Sequence, residues 1–85
     1  MKLRSLECLA EIVACEFNLT RAAKRLCASQ PAVTRQIQLL EEYLGFELLL
    51  RRGNRIGGLT PEGRAVHERA MRVLHEARQL RLVKD

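Results

Sequence analysis

The stretch Ser29-Gln-Pro-Ala-Val-Thr-Arg-Gln-Ile-Gln-Leu-Leu-Glu-Glu-Tyr-Leu-Gly45 carries its own start signal, its own stop signal and two unlike faces. Ser29 offers a hydroxyl that can accept a free amide hydrogen of a first helical turn. Pro31 lies in that turn, where no hydrogen bond is lost, and Gly45 suits the left-handed residue that closes a helix. A helix from Gln30 to Leu44 is predicted. At about 100° per residue, Val33, Ile37, Leu40 and Leu44 share one side, while Pro31, Arg35, Gln38 and Glu42 share the other, with Gln30 and Thr34 on the flank. The apolar side belongs to a core. Arg, Gln and Thr on the polar side can donate to and accept from base edges in a DNA major groove, and Pro31 or Ala32 can meet a thymine methyl. An ordinary solvated helix face has the same pattern, so the remaining chain has to decide.

The chain has 85 residues, with 15 Lys plus Arg against 10 Asp plus Glu and a formal net charge of +5. That length supports one modest core and no added cofactor domain, so no cofactor is expected. The basic excess points to a polyanion, either nucleic acid or an anionic membrane surface. No stretch approaches the roughly 20 apolar residues of a spanning helix, so no membrane partner is expected. Arg4 and Glu7 interrupt the apolar region a signal peptide would need, which implies a cytoplasmic protein. Cys8, Cys15 and Cys27 form an odd set with no CxxC pair, which suggests neither a disulfide framework nor a zinc knuckle, so no metal site is assigned. They read as small buried hydrophobes, with thiol or metal sensing alongside His67 and His75 as the alternative. No Ser/His/Asp grouping, paired carboxylates or phosphate-cradling glycine loop appears, so the chain reads as no enzyme.

Leu6, Leu9, Ala10, Val13 and Phe17 mark an amphipathic helix from about Leu3 to Glu16. Its acids, Glu7, Glu11 and Glu16, have the wrong sign for phosphate, so it supports the others from behind. Asn18 caps a short helix over Leu19–Cys27, in which Leu19, Ala22, Ala23 and Leu26 face inward and Thr20, Arg21, Lys24 and Arg25 face outward. The few residues between this helix and Ser29 force a sharp crossing of the helix-turn-helix kind. Thr20, Arg21, Lys24 and Ser29 are thereby candidates to grip the DNA backbone while Gln30, Pro31, Thr34, Arg35 and Gln38 read bases. Glu42, near the helix end and of the wrong sign, is left out.

Phe46 to Arg52 and Leu59-Thr60 read as short extended runs around a Gly/Asn-rich turn over Gly53–Gly58, a hairpin with Arg51, Arg52 and Arg55 on it. Such a wing can reach phosphates or an adjacent minor groove; a solvated basic turn is the alternative. Thr60-Pro-Glu62 opens a last helix running to about Val83. On it Val66, Ala70, Val73, Ala77 and Leu80 recur at spacings of four and three, a heptad seam suited to a second copy of the chain. A helix packed back along the first one is the competing arrangement.

Taken in order, Leu6, Leu9, Thr20-Arg-Ala-Ala23, Leu26, Ser29-Gln-Pro-Ala-Val-Thr-Arg-Gln-Ile37, Leu40-Glu41, Leu44-Gly45, Leu48, Arg51 and Leu59-Thr-Pro-Glu-Gly63 resemble the N-terminal DNA-binding region of a LysR-type transcriptional regulator. The resemblance spans nearly the whole chain. It implies a mainly α winged helix-turn-helix over residues 1–60, with a small β-hairpin wing, and a linker and dimerisation helix over residues 61–85. It further implies sequence-specific binding of double-stranded DNA at a dyad-symmetric site by a homodimer, with a tetramer open to a full-length parent. A small-molecule effector would act on a further domain, and a chain ending within the linker helix is expected to be cut from a longer one. By position, the counterparts of Gln30, Pro31, Thr34 and Arg35 would serve bases and nearby backbone, Thr20 and Arg21 phosphate, and the wing arginines the flanking groove. Where the family usually has Phe and a polar residue, this chain has Leu49 and Leu50, a more aliphatic wing strand. Arg-Gly-Asn-Arg-Ile-Gly-Gly with Thr-Pro-Glu-Gly after it is similar to the CysB-type branch, which implies a sulfur-pathway target. Two rival functions stand beside this one: a protein-interaction or oligomerisation module acting through the Val66–Leu80 seam, and a thiol- or metal-responsive winged-helix sensor.

Overall fold

A computed structural model describes residues 1–84. Helices α1 (Leu3–Ala14), α2 (Leu19–Arg25) and α3 (Gln30–Leu44) are followed by strands β1 (Leu49–Arg52) and β2 (Arg55–Leu59), helix α4 (Pro61–Gln79) and a single 3₁₀ turn, Leu80–Leu82. This is a mainly helical winged helix-turn-helix, as predicted.

Local chemistry fixes most of the boundaries. Asn18 Oδ1 accepts from the Arg21 amide at 3.0 Å, and Ser29 Oγ accepts from the Ala32 amide at 3.2 Å. Thr60 Oγ1 accepts from the Gly63 amide at 2.8 Å and donates to the Glu47 carbonyl at 2.7 Å, so one hydroxyl starts α4 and ties it to the approach to the wing. Gly45 closes α3 at φ 87°. The α2 boundary differs from its predicted end at Cys27. The helix stops at Arg25 because Cys27 lies in the left-handed region at φ 53°, with the Ala28 amide donating back to the Ala23 carbonyl at 2.9 Å. Glycine is the residue normally favoured there, and no side-chain feature signals the turn.

The core gathers Leu6, Leu9 and Ile12 of α1, Ala22 and Ala23 of α2, and Val33, Ile37 and Leu40 of α3. Leu48 and Leu49 before and within the wing join them, as do Ala70 and Leu74 of α4. Ser5 Oγ donates to Gln36 Oε1 at 2.8 Å, an Arg4 guanidinium nitrogen donates to the Leu26 carbonyl at 2.8 Å, and Arg25 pairs with Glu11. Helix α1 thus supports the other two helices from behind, as its charge suggested. The hydrogen bond and then the charge of Glu11 raise the pKa of Arg25 above its ordinary value.

The hairpin is tighter than predicted. Leu49 faces Leu59 and Arg52 faces Arg55, leaving only Gly53-Asn54 as the turn, with Gly53 at φ 59°. Between Leu50↔Gly58 and Arg51↔Ile56 the register slips, so Gly57 is an extra residue on β2, a bulge. Ile56, placed in the turn by sequence, instead packs against the core. Leu49 is buried and Leu50 half exposed, which settles where the aliphatic substitutions of this wing lie.

Helix α4 packs along α1, and this divides the five residues read as one seam. Ala70 is buried at 2 % exposure, and Val66 also packs on the core. Ala77 is half-buried beside Leu3 and Leu74. Val73 and Leu80 point away, 43 % and 72 % exposed. A spacing of four and three identifies an apolar stripe but not its partner, and here one edge of the stripe meets the chain's own α1.

Candidate nucleic-acid interface

The front of α3 is open. Gln30, Pro31, Thr34, Arg35 and Gln38 line one shallow groove together with Leu19, so all five candidate base readers share one surface. Gln30, Pro31, Arg35 and Gln38 are exposed and Thr34 partly so. On the opposite side of the helix Val33 and Ile37 are fully buried, which fixes the rotation of α3 and therefore which side chains face out. Arg35 lies 3.8 Å from Glu42, about two helical turns along, both well exposed. An ion pair of that exposure contributes at most about 1 kcal/mol and yields readily to a better partner.

A second groove runs from Asn18, Leu19, Thr20 and Gln30 to Asn54, Arg55 and Ile56 of the wing. The fold therefore joins the start of α2, the start of α3 and the tip of the hairpin into one continuous surface. Arg21 and Lys24 are exposed on α2, and Arg52 and Arg55 face each other across the end of the hairpin, also exposed. Glu16 lies at the margin of this groove and introduces the opposite charge there. Ser29 is engaged as the cap of α3, so its hydroxyl holds the helix while its position borders the front.

Arg51 stands apart from the other wing arginines. Its guanidinium lies 3.3 Å from Glu41 Oε1, while Glu41 Oε2 accepts from the Leu48 amide at 2.7 Å. Glu41 thus holds the base of the wing against α3, and Arg51 completes that clamp. Glu41 has a legible sequence signal: an acid at the edge of an otherwise apolar helix face needs a local donor. Loss of Glu41 would strand a part-buried amide, which costs about 1–3 kcal/mol. Gln36, which accepts from Ser5, is a comparable positioning residue that charge and spacing alone do not single out.

The cysteines do not share this surface as a group. Cys8 and Cys15 are buried and Cys27 is exposed in the turn between α2 and α3. Burial pushes the Cys8 thiol upward, against the opposing influence of Arg4, and so keeps it in the unreactive protonated form. Among the described residues no cluster of three or more His, Cys, Asp or Glu side chains is placed to hold a metal ion, and no helix is long and apolar enough to cross a membrane.

Residues 3–64 match the family described as bacterial regulatory helix-turn-helix protein, lysR family. Over all 85 residues the chain is 40 % identical to the HTH-type transcriptional regulator cbl of Klebsiella aerogenes, covering 27 % of that protein. It is 39 % identical over 85 residues to the HTH-type transcriptional regulator CysB of Haemophilus influenzae, covering 26 % of it. The chain thus spans about a quarter of the length of the curated relatives it matches. Among solved structures, the BenM DBD complex with benA site 1 DNA superposes with a TM-score of 0.87 at 37 % identity, over 98 % of this chain and 91 % of that one. The CbnR DBD–DNA complex gives 0.84 at 42 % identity, over 93 % and 88 %.

Proposed function

The chain belongs to the lysR family of bacterial regulatory helix-turn-helix proteins, and from that premise we propose that it binds double-stranded DNA sequence-specifically, as the DNA-binding part of a transcription regulator. The observation that carries this reading is the single groove lined by Gln30, Pro31, Thr34, Arg35 and Gln38, with exposed Arg21 and Lys24 on the preceding helix and exposed Arg52 and Arg55 on the wing. In this reading α3 enters the major groove, where Arg35 serves a guanine and Gln30 or Gln38 an adenine, and Pro31 and Thr34 contact neighbouring edges. Thr20, Arg21 and Lys24 contact the flanking backbone, with Ser29 fixing the helix start against it. Arg52 and Arg55 carry the wing's contact, while Arg51 acts mainly by holding the wing in place.

The active form is a homodimer. Met71, Val73, Leu80, Leu82 and Val83 leave apolar side chains exposed on and beyond α4, and a second copy covering them would present two α3 helices to a dyad-symmetric site. The pairing surface is thus the Val73 and Leu80 edge of the helix, with Ala77 at its border and Val66 and Ala70 serving the chain's own core. Any small-molecule effector, and any tetramer, belongs to the additional length that the relatives have. A regulator of this kind needs no catalytic group, and its work is done in the cytoplasm, where bacterial DNA lies.

Titration of a labelled duplex at increasing salt tests the binding mode. Each phosphate contact adds about 0.9 to the slope of log affinity against log salt. Arg55→Ala is expected to lower that slope by about one and to weaken all duplexes alike. A slope near zero for the unmodified protein would contradict DNA binding and favour the protein-interaction reading.

A further inference from the structure

Thr20 and Gln30 are ten positions apart, on different helices, and their side chains meet. Gln30 Nε2 donates to Thr20 Oγ1 at 2.9 Å, and both residues are exposed on the surface facing the groove. They line the same groove beside the wing, and Gln30 lines the α3 groove as well. In the DNA-binding reading Thr20 serves the DNA backbone and Gln30 a base. The hydrogen bond joins those tasks.

We propose that Thr20 is a positioning residue for base readout, which fixes the amide of Gln30 so that Gln30 selects adenine. This rests on the DNA-binding reading above. An unrestrained glutamine amide can present oxygen and nitrogen either way round and is a poor discriminator. A hydroxyl is ambiguous too, since it can accept from the amide nitrogen or donate to the amide oxygen. Here Thr20 accepts, so its own proton is left for another acceptor. A DNA phosphate taking that proton would keep the lone pair of Oγ1 turned toward Gln30 and hold the amide nitrogen on the Thr20 side. Gln30 retains its second N–H and its oxygen, the adjacent donor and acceptor that match adenine N7 and N6. The backbone contact thereby sets the orientation of the base contact. Discrimination at this position would then require correct backbone register, which suits a protein that must reject the wrong alignment on otherwise similar DNA.

The test is a double-mutant cycle, scored on a panel of duplexes that differ one base pair at a time from the best-bound sequence. Thr20→Val keeps the shape and removes the hydroxyl. It is expected to lose roughly tenfold discrimination at the single position that Gln30→Ala also flattens, and to change little elsewhere. Thr20→Ser is expected to restore the preference, and in a Gln30→Ala background Thr20→Val is expected to have no position-specific effect. A Thr20→Val variant that weakens every duplex by one common factor, additively with Gln30→Ala, overturns the proposal and leaves Thr20 a phosphate contact only. If the unmodified protein discriminates among none of the duplexes, the DNA-reading function itself fails, and the proposal with it.

Discussion

Gly63→Ala is expected to cost about 3 kcal/mol and to lower the melting temperature by roughly 12 °C or more. A Cβ at position 63 would lie 2.8 Å from the Leu48 carbonyl carbon and closer still to its oxygen. That oxygen already accepts from the Thr60 amide at 2.9 Å, so it cannot move aside without losing the bond that joins α4 to the wing. The obstacle is backbone rather than a flexible side chain, which places the cost at the upper end of the range for overpacking. Gly57→Ala is the matched control. A Cβ there meets nothing within 4 Å, and the change should fall within about 0.5 kcal/mol of neutral. Thermal unfolding of the two variants checks this. A Gly63→Ala protein that melts alongside Gly57→Ala would contradict the close approach of α4 to Leu48.

Arg35→Ala is expected to lose tenfold or more in affinity for the best-bound duplex and about twofold or less for a scrambled one. A guanidinium paired to guanine O6 and N7 carries discrimination of about 1–3 kcal/mol, whereas a phosphate contact is blind to sequence. Its exposed pair with Glu42 at 3.8 Å is too weak to hold it back. Arg35→Lys should recover affinity for both duplexes but little of the difference between them, because an ammonium lacks the two-pronged geometry. Equal weakening of both duplexes by Arg35→Ala would move Arg35 from the bases to the backbone.

Helix α3 is legible in the sequence to its end residues because both boundaries are set by single local side chains. Ser29 accepts the Ala32 amide, and Gly45 adopts the left-handed conformation. The same holds for the start of α4 at Thr60 and Pro61. The end of α2 is not legible because Cys27, a residue with no special freedom for positive φ, takes the conformation that a glycine usually supplies. The wing was legible as a hairpin but not in register. A bulge at Gly57 brings Ile56 to the core, and neither effect is encoded in alternation alone. The candidate base readers are legible as a group because one helix carries them and its buried face fixes its rotation. Charge alone groups Arg51 with Arg52 and Arg55, yet Glu41, ten residues earlier on α3, captures it. The stripe on α4 is the clearest case of pattern without partner. Ala70 and Leu74 are inside, Val73 and Leu80 outside, and only packing against α1 separates them.

Selection of bound duplexes from a random pool tests the central claim most directly, namely that two copies of this chain read a specific DNA sequence through α3. The enriched sites are expected to be dyad-symmetric, with half-sites in major grooves one or more helical turns of roughly 34 Å apart, and with guanine and adenine preferences that Arg35→Ala and Gln30→Ala respectively remove. A pool that stays random after repeated rounds, despite salt-sensitive binding, would contradict sequence reading and reduce the surface to a nonspecific grip on phosphate.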